Sequence, residues 1–228
     1  MSLRVEAFAK LTRSLRVVGV RDDGFHLIDA EVVTLDFADV LDIDASGSND
    51  LPPDNLVSRA LAAVQRDAHV RLDKRIPMGA GLGGGSADAA AILRWAGCTD
   101  LALAAGIGAD VPFCLVGGRA RVRGIGEQVE PLAFEALTFT LLTPPLHVST
   151  PAVYRAWDGL GGPTSAGPND LEPAALTVEP RLAEWRDRLG DATGAVPVLA
   201  GSGGTWFVEG DHPHVPGAVV ARTRNDRP

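Results

Sequence analysis

Alternating apolar and polar positions predict a strand-rich first half of the chain. Leu3–Val20 alternates weakly and is rich in β-branched side chains, and Val70–Ile76 also alternates. A turn cluster at Arg21–Gly24 separates the first two predicted strands. The strands predicted here are Leu3–Val20 (as one or two strands), Ile28–Ile43, Val70–Ile76, Val111–Val116 and Ala120–Val122, followed by a turn and connector at Gly124–Glu135.

Helical spacing appears between these strands and again in the second half. In Asn55–Arg66, the apolar residues Leu56, Ala60, Leu61 and Val64 fall on one face of a helix. The alanine-rich run Ala87–Trp95 favours a helix by its intrinsic propensity. Other predicted helices are Leu101–Ala105, Pro151–Asp158 and Pro173–Leu189, and the later predicted strands are Thr138–Thr143, Val196–Ala200, Thr205–Val208 and Val215–Arg222.

This mixture of helices and strands lacks a regular strand–helix–strand alternation. The pattern therefore favours an α+β fold over a parallel, doubly wound sheet. The chain has 228 residues, which suffice for one large domain or for two small domains that share an interface.

Composition narrows the classes of partner. The net charge of −8 and the pI of about 5.1 disfavour nucleic acid and anionic membranes, which select basic surfaces. The two cysteines, Cys98 and Cys114, belong to no metal-binding or redox motif, so reduced thiols are expected. The N-terminus lacks an apolar leader and no apolar run approaches the ~20 residues that span a bilayer, so we expect a cytoplasmic protein.

A glycine-rich segment, Pro77–Ser86, is the strongest chemical signal. It holds five glycines in the seven positions from Gly79 to Gly85, which we expect to exclude ordinary helix or strand. Such a loop can turn its backbone amides inward around an anion, and the helix that follows presents its N-terminus to a phosphate. Ser86 could cap that helix, touch a phosphate or ligate Mg²⁺. The alternative is a flexible loop with a capping Ser86 and an ordinary first-turn Asp88.

Two kinds of phosphate loop can be compared with this segment. It is not a Walker A motif, because no Lys-Ser/Thr pair follows the glycines. The spacing Gly79-x-Gly81-x-x-Gly84 does fit a dinucleotide-binding motif. The acidic residue expected about 20 positions later is absent, since Asp100 comes too early. A dinucleotide-binding protein therefore stays open as an alternative.

The whole glycine segment resembles the phosphate loop of the GHMP kinases, and its three-glycine form with Asp88 is similar to that of the diphosphocytidyl-methylerythritol kinases. Two further motifs occur in the same order as in that family, namely Ala7-x-Ala9-Lys10-Leu11 and Leu199-x-Gly201-Ser202-Gly203-Gly204-Thr205. Four smaller segments are also similar: Gly19–His26, Asp54-Asn55-Leu56, Gly108-Ala109-Asp110-Val111-Pro112-Phe113 and Asn169-Asp170-Leu171-Glu172-Pro173. The resemblance covers nearly the whole chain.

The resemblance implies a two-lobed GHMP kinase fold. Residues 1–134 would form an N-terminal lobe like ribosomal protein S5 domain 2, carrying the phosphate loop, and residues 135–228 a ferredoxin-like C-terminal lobe. The implied reaction transfers a phosphoryl group from ATP, with Mg²⁺, to the 2-hydroxyl of 4-diphosphocytidyl-2-C-methyl-D-erythritol in non-mevalonate isoprenoid synthesis. The implied partner is this small molecule, and the protein would be a monomer or homodimer.

The resemblance also assigns roles to residues. It makes Asp110 the catalytic base and places Lys10 beside it, although a turn aspartate and an edge-strand lysine would otherwise be the plainer interpretations. The implied ATP-binding residues are Asn55, Pro77, Gly79, Gly81, Leu82, Gly83, Gly84, Gly85 and Ser86, with Ser86 also a ligand of the metal. The implied substrate-binding residues are Thr12, Phe25, His26, Tyr154 and Gly203.

In that assignment His26 bonds to the cytosine edge and Phe25 stacks on the ring, with Tyr154 as a second stacking face. A strand start and a half-buried tyrosine are the alternatives for these positions. Four residues depart from the usual family pattern, and the stretch from Trp95 to Gly106 and the second lobe are both short. The departures are Thr12 for Asn, Phe25 for Tyr, Ala87 for Ser and Ala200 for Ser. A GHMP kinase with another alcohol substrate, or a non-catalytic nucleotide binder, therefore remains an alternative.

Overall fold

A long antiparallel hairpin begins the chain in the computed structural model, which describes residues 2–225. Strand β1 covers Ser2–Val20 and strand β2 covers His26–Asp44. The turn closes where the amide of Arg21 donates to the carbonyl of Phe25 at 2.8 Å. The register of the pair shifts between Phe8 and Lys10, so the regular pairing of the ladder is interrupted just before Lys10.

Strand β2 of this hairpin is the centre of a five-stranded sheet, and β1 is one of its edge strands. The order is β1-β2-β4-β5, and β3 pairs with the far end of β2. All of these pairings are antiparallel. The three shorter strands are β3 (His69–Asp73), β4 (Arg119–Gly124) and β5 (Gln128–Pro131).

Four helices pack with this sheet around one apolar core. They are α1 (Leu56–Ala63), α2 (Gly84–Trp95), α3 (Leu101–Ile107) and α4 (Val111–Val116). Helix α2 is central, because it packs against α1, α4 and β1. Its small buried side chains, Ala87 and Ala89–Ala91, permit this close approach of several elements.

The second half forms a four-stranded antiparallel sheet in the order β7-β8-β6-β9. Its elements are β6 (Thr138–Leu142), α5 (Thr150–Gly159), α6 (Glu172–Val178), α7 (Leu182–Thr193), β7 (Val198–Leu199), β8 (Trp206–Glu209) and β9 (Ala218–Arg222). This strand order is that of a ferredoxin-like unit. Within the described chain, however, the crossover from β8 to β9 contains no helix.

Several predicted elements are corrected by the structure. Val111–Val116 is a helix instead of a strand, because a short apolar run has no decisive period and Pro112 suits a helical first turn. The connector Gly124–Glu135 contains strand β5. Pro173–Leu189 falls in two helices, which Pro180 separates. Gly84 and Gly85 lie inside the first turn of α2, so part of the glycine segment is helical after all.

The other predicted helices and strands lie where the sequence placed them, with ends that differ by a few residues. Two isolated bridges, Leu15 with Asn169 and Leu35 with Thr223, connect the hairpin to the second half. The α+β class is confirmed, whereas a domain boundary between residues 134 and 135 stays a prediction. No helix in residues 2–225 is both long and apolar enough to cross a membrane.

Candidate active site

The predicted phosphate loop, Pro77–Ser86, is attached directly to strand β1. The amide of Lys10 donates to the carbonyl of Leu82 at 3.0 Å. Gly83, with a φ of 70°, ends the loop and caps helix α2. A side chain at Gly83 is excluded, because an added Cβ would lie 2.7 Å from Cγ of Lys10. The loop therefore delivers the free amides of the first turn of α2 beside the Lys10 side chain.

A second glycine segment, Gly201–Gly204, packs against this loop by backbone alone. A Cβ on Gly81 would lie 2.8 Å from the carbonyl oxygen of Gly203, and a Cβ on Gly204 would lie 2.8 Å from that of Gly79. All four of these glycines have positive φ angles. Both segments therefore need glycine for conformation, and Gly81 and Gly204 also need it for the close approach.

Asn169 anchors the second glycine segment from behind. Its side-chain amide donates to the carbonyls of Leu199 at 2.8 Å and Gly201 at 2.7 Å, and its oxygen accepts from the amide of Leu171 at 2.9 Å. Asn169 is buried. The neighbouring Asp170 accepts from Arg16 at 2.7 Å, so this short segment fixes the second glycine segment and holds β1.

Lys10 and Asp110 form an ion pair at the mouth of the phosphate loop. Nζ of Lys10 lies 3.3 Å from Oδ2 of Asp110 and donates to Oγ1 of Thr12 at 3.1 Å. The Lys10 side chain is only 6% exposed, whereas that of Asp110 is 49% exposed. The carboxylate is thus reachable from the cleft while the ammonium that holds it is sheltered.

A cluster of Asp39, Lys74 and Asp88 lies under the first turn of α2, with both carboxylates buried and the Lys74 side chain 29% exposed. The Lys74 ammonium pairs with Asp39, and it contacts Oδ2 of Asp88 at 2.6 Å. Asp39 also accepts from the amides of Arg75 and Ile76. One ammonium faces two carboxylates, and Oδ1 of Asp88 has no hydrogen-bond partner among the described residues.

Burial governs the protonation of this cluster. It raises the pKa of the Asp88 carboxyl from 3.8 to about 6, because pairing with Lys74 only partly replaces lost hydration and Asp39 repels a second negative charge. Desolvation lowers the pKa of Lys74, but its hydrogen bonds to Asp39 and Asp88 outweigh this, so that pKa is raised overall. The Lys74 ammonium therefore stays charged, and Asp88 is the group of this cluster that takes up a proton as the pH falls towards 6.

Aromatic side chains surround His26 at the other end of the cleft. The rings of His26 and Tyr154 lie 4.6 Å apart and tilted, and Trp157 meets the same imidazole edge-on at 5.5 Å. Nε2 of His26 lies 2.8 Å from Oδ1 of Asp158. Burial, and secondarily the charge of Asp110, raise the pKa of the Tyr154 hydroxyl to about 12, so this tyrosine stays neutral.

One cleft of about 730 Å³ joins these groups. The predicted site residues that line it are Lys10, Thr12, Phe25, His26, Gly81, Gly83, Asp110 and Tyr154. The predicted residues outside its lining are Asn55, Pro77, Gly79, Leu82, Gly84, Gly85, Ser86 and Gly203. Gly203 is buried, and Gly201 and Ser202 line the cleft in its neighbourhood.

Two of the residues predicted to bind the nucleotide, Asn55 and Gly85, lie beside helix α1. Leu56 is the nearest side chain to a Cβ placed on Gly85, at 3.5 Å. Asn55 uses its side-chain oxygen to cap α1, accepting from the amide of Val57 at 2.9 Å. The residues assigned to the nucleotide are thus divided, since Gly81 and Gly83 line the cleft, whereas Asn55 and Gly85 lie beside α1.

The sequence did not predict a role for Asp158 or the positioning role of Asn169. It also did not predict that Asp39 and Lys74 form an ion pair. The only available signal for Asn169 was its place in the quoted N-D-L-E-P segment. Lys74 carried a signal of its own, since it shares the apolar face of the predicted strand with Val70, Leu72 and Ile76. Asp158 carried none, because an exposed aspartate near a helix end is ordinary.

No group of three or more histidine, cysteine or acidic side chains in residues 2–225 is arranged to hold a metal ion. Both cysteines are free thiols. Burial raises the pKa of Cys114 to about 12, so this thiol stays protonated and inert.

The fold and the phosphate loop together define the class. Residues 55–118 match the family model of the GHMP kinases N terminal domain. The crystal structure of a 4-(cytidine 5′-diphospho)-2C-methyl-D-erythritol kinase superposes with a TM-score of 0.80 at 31% identity, covering 96% of this chain and 98% of that one. The chain thus has the GHMP kinase fold, and the dinucleotide alternative is set aside.

Full-length relatives narrow the class further. The 4-diphosphocytidyl-2-C-methyl-D-erythritol kinase of Paracoccus denitrificans (strain Pd 1222) is 37% identical over 235 aligned positions, covering 90% of this chain and 85% of that protein. The kinase of the same name from Ruegeria pomeroyi (strain ATCC 700808 / DSM 15171 / DSS-3) is also 37% identical, covering 90% and 88%. This chain belongs to the family of 4-diphosphocytidyl-2-C-methyl-D-erythritol kinases.

Proposed function

We propose that the protein transfers the γ-phosphoryl group of ATP to the 2-hydroxyl of 4-diphosphocytidyl-2-C-methyl-D-erythritol. One observation carries this proposal beyond family membership. The Lys10–Asp110 pair opens into the same cleft as Phe25, His26 and Tyr154, so a phosphoryl-transfer centre and an aromatic base-binding region share one space.

The phosphate loop fits a triphosphate. The first-turn amides of Gly84, Gly85 and Ser86 have no hydrogen-bond partner within their own helix. The Lys10 side chain packs so closely on Gly83 that the space beside these amides stays narrow. These amides would hold the phosphates, with Asn55 on the adenine side. The Ser86 hydroxyl would contribute to holding Mg²⁺, whose other ligands would be phosphate oxygens and water. Bound ATP supplies the transferable phosphoryl group.

Asp110 serves as the base in this proposal. Its exposed carboxylate accepts the proton of the attacking hydroxyl. Lys10 pairs with that carboxylate and places a positive charge beside the transferred group. Thr12 accepts a hydrogen bond from Lys10 and so restricts the ammonium to this position.

The other end of the cleft accounts for the acceptor. Phe25 is 57% exposed, so its ring is available to stack on a planar base. His26 offers a polar edge beside it, and Tyr154 lies against the imidazole. Convergence of these three residues favours a cytidine-linked acceptor over another small alcohol, for which no such aromatic region is needed. Cytoplasmic location, absence of a nucleic-acid partner and a monomeric or homodimeric state stay predictions from the sequence.

A coupled assay for ADP tests the proposal. We expect ADP release that requires ATP, Mg²⁺ and the diphosphocytidyl alcohol together. Asp110→Asn should lower kcat by roughly 100-fold or more while leaving the KM for the alcohol nearly unchanged. Asp187→Asn, an identical change at an exposed helical position, is the matched control. Binding of ATP without alcohol-dependent ADP release would refute the assignment and indicate a nucleotide-binding protein or another acceptor.

A further inference from the structure

The imidazole of His26 is held in one orientation by three residues of α5. Nε2 lies 2.8 Å from Oδ1 of Asp158, while the rings of Tyr154 and Trp157 contact its face and edge. The His26 side chain is 10% exposed and that of Asp158 is 49% exposed. The imidazole is therefore immobilised, whereas its partner remains open to the cleft and to solvent.

This contact determines which ring nitrogen carries the proton. An ionised carboxylate only accepts hydrogen bonds, so Nε2 must be the donor. In the neutral imidazole the other nitrogen, Nδ1, is then an acceptor. Among residues 2–225, Nδ1 of His26 makes no hydrogen bond, so it is the ring nitrogen that remains for a ligand.

We propose that Asp158 is a specificity-determining residue, which fixes the Nε2–H tautomer of His26 so that Nδ1 accepts from the exocyclic amine of a cytosine. This inference rests on the proposed function, because it takes a cytidine diphosphate as the occupant of the cleft. Asp158 acts through His26 and is a positioning residue, with no part in phosphoryl transfer.

The chemistry of the two pyrimidines gives the discrimination. Cytosine presents an amine donor where uracil presents a carbonyl acceptor. An acceptor Nδ1 pairs with the amine and repels the carbonyl, and a buried polar group without a partner is costly. One mispaired contact of this kind corresponds to a preference of roughly tenfold for cytidine over uridine.

No other charged group competes for the imidazole. The remaining charged residues that line the cleft come from several elements and loops, and none forms a hydrogen bond or an ion pair with His26 in the described chain. They are Lys10, Arg59, Asp110, Glu127 and Arg155. Asp158 is therefore the one ionic contact that sets the tautomer among residues 2–225.

Equilibrium binding separates this inference from catalysis. Cytidine 5′-diphosphate and uridine 5′-diphosphate are titrated by calorimetry into the protein saturated with a non-hydrolysable ATP analogue and Mg²⁺, so that only the acceptor region is free. The two ligands share their phosphates, so their affinity ratio reports the base alone. The variants are Asp158→Ala and Asp158→Asn, with the exposed Asp187→Asn as the matched control, and thermal melts check that each is folded.

At about pH 8, where an ordinary imidazole is neutral, we expect wild type and Asp187→Asn to prefer the cytidine ligand by roughly tenfold. Asp158→Ala should lower that ratio to within about threefold, and Asp158→Asn should give an intermediate ratio because an amide can also donate.

The ¹⁵N shifts of the His26 ring give a readout that a purely structural role would not change. We expect a protonated Nε2 and an unprotonated Nδ1 in wild type, and a mixture of tautomers in Asp158→Ala. An unchanged binding ratio and an unchanged tautomer in that variant would overturn the inference, as would a wild type without base preference. A wild type that prefers cytidine but releases no ADP would refute the proposed kinase activity while supporting the inference.

Discussion

Replacing Asp88 with asparagine should change how the stability of the protein depends on pH. Asp88 is 3% exposed, one of its oxygens has no partner among the described residues, and Lys74 is shared with Asp39. Burial raises the pKa of its carboxyl to about 6. Asparagine has nearly the same shape and cannot ionise, so it removes this titration while keeping the packing.

The magnitude follows from the linkage between proton binding and folding. Between pH 3.8 and about pH 6 the folded state binds the Asp88 proton more tightly than the unfolded state does. The stabilising free energy from this protonated group is therefore fully present below pH 3.8 and is lost as the pH rises through about 6. A pKa difference of this size corresponds to a loss of up to about 3 kcal/mol. Asp88→Asn should escape that loss.

The assay is urea unfolding of wild type and Asp88→Asn at a series of pH values. The free energy of unfolding of the variant, minus that of wild type, should rise by up to about 3 kcal/mol between about pH 4 and pH 7.5. A constant offset from the buried amide cancels in this comparison. Asp187→Asn should show no such rise, because its carboxylate is exposed. A flat or falling difference for Asp88→Asn would refute the reasoning.

Three further substitutions test the geometry. Lys10→Met should reduce kcat roughly 100-fold without lowering the melting temperature, as steady-state kinetics and thermal melts would show; full activity would contradict its role. Gly81→Ala should lower the free energy of unfolding in urea by about 2 kcal/mol more than Gly97→Ala does. Both sites have positive φ, but of the two only Gly81 faces a backbone oxygen, so equal losses would contradict this explanation. Asn169→Ala should cost about 3 kcal/mol by leaving buried carbonyls unpaired, and an unchanged unfolding midpoint would contradict this.

Much of the fold could be predicted from local patterns. The alternation of Val70–Ile76 predicts a strand and the alanine run of α2 predicts a helix, and both predictions are confirmed. Val111–Val116 could not be, because six mostly apolar residues suit a buried strand and a buried helix equally. Tertiary packing decided it, since the residues pack against α2.

The candidate site shows a similar division. Lys10 and Asp110 are separated by a hundred positions, and only their motifs suggested that they meet. The Asp158–His26 contact has no such motif, because it depends on how α5 packs over the β1–β2 turn region. The pairing of Asp39 could not be predicted for the same reason. Its partner Lys74 follows two further elements along the chain, and no sequence pattern marks a carboxylate within a strand as paired.

The backbone-only contact between Gly79–Gly81 and Gly203–Gly204 also constrains how this protein can be recombined. The two segments come from opposite halves of the chain, yet each fills the space where the other would carry a side chain. A chimera that joins the N-terminal half of this kinase to the C-terminal half of a distant GHMP kinase would contain one glycine segment without the segment that packs against it. The two halves of such a chimera should not pack together at this contact unless both glycine segments come from the same parent.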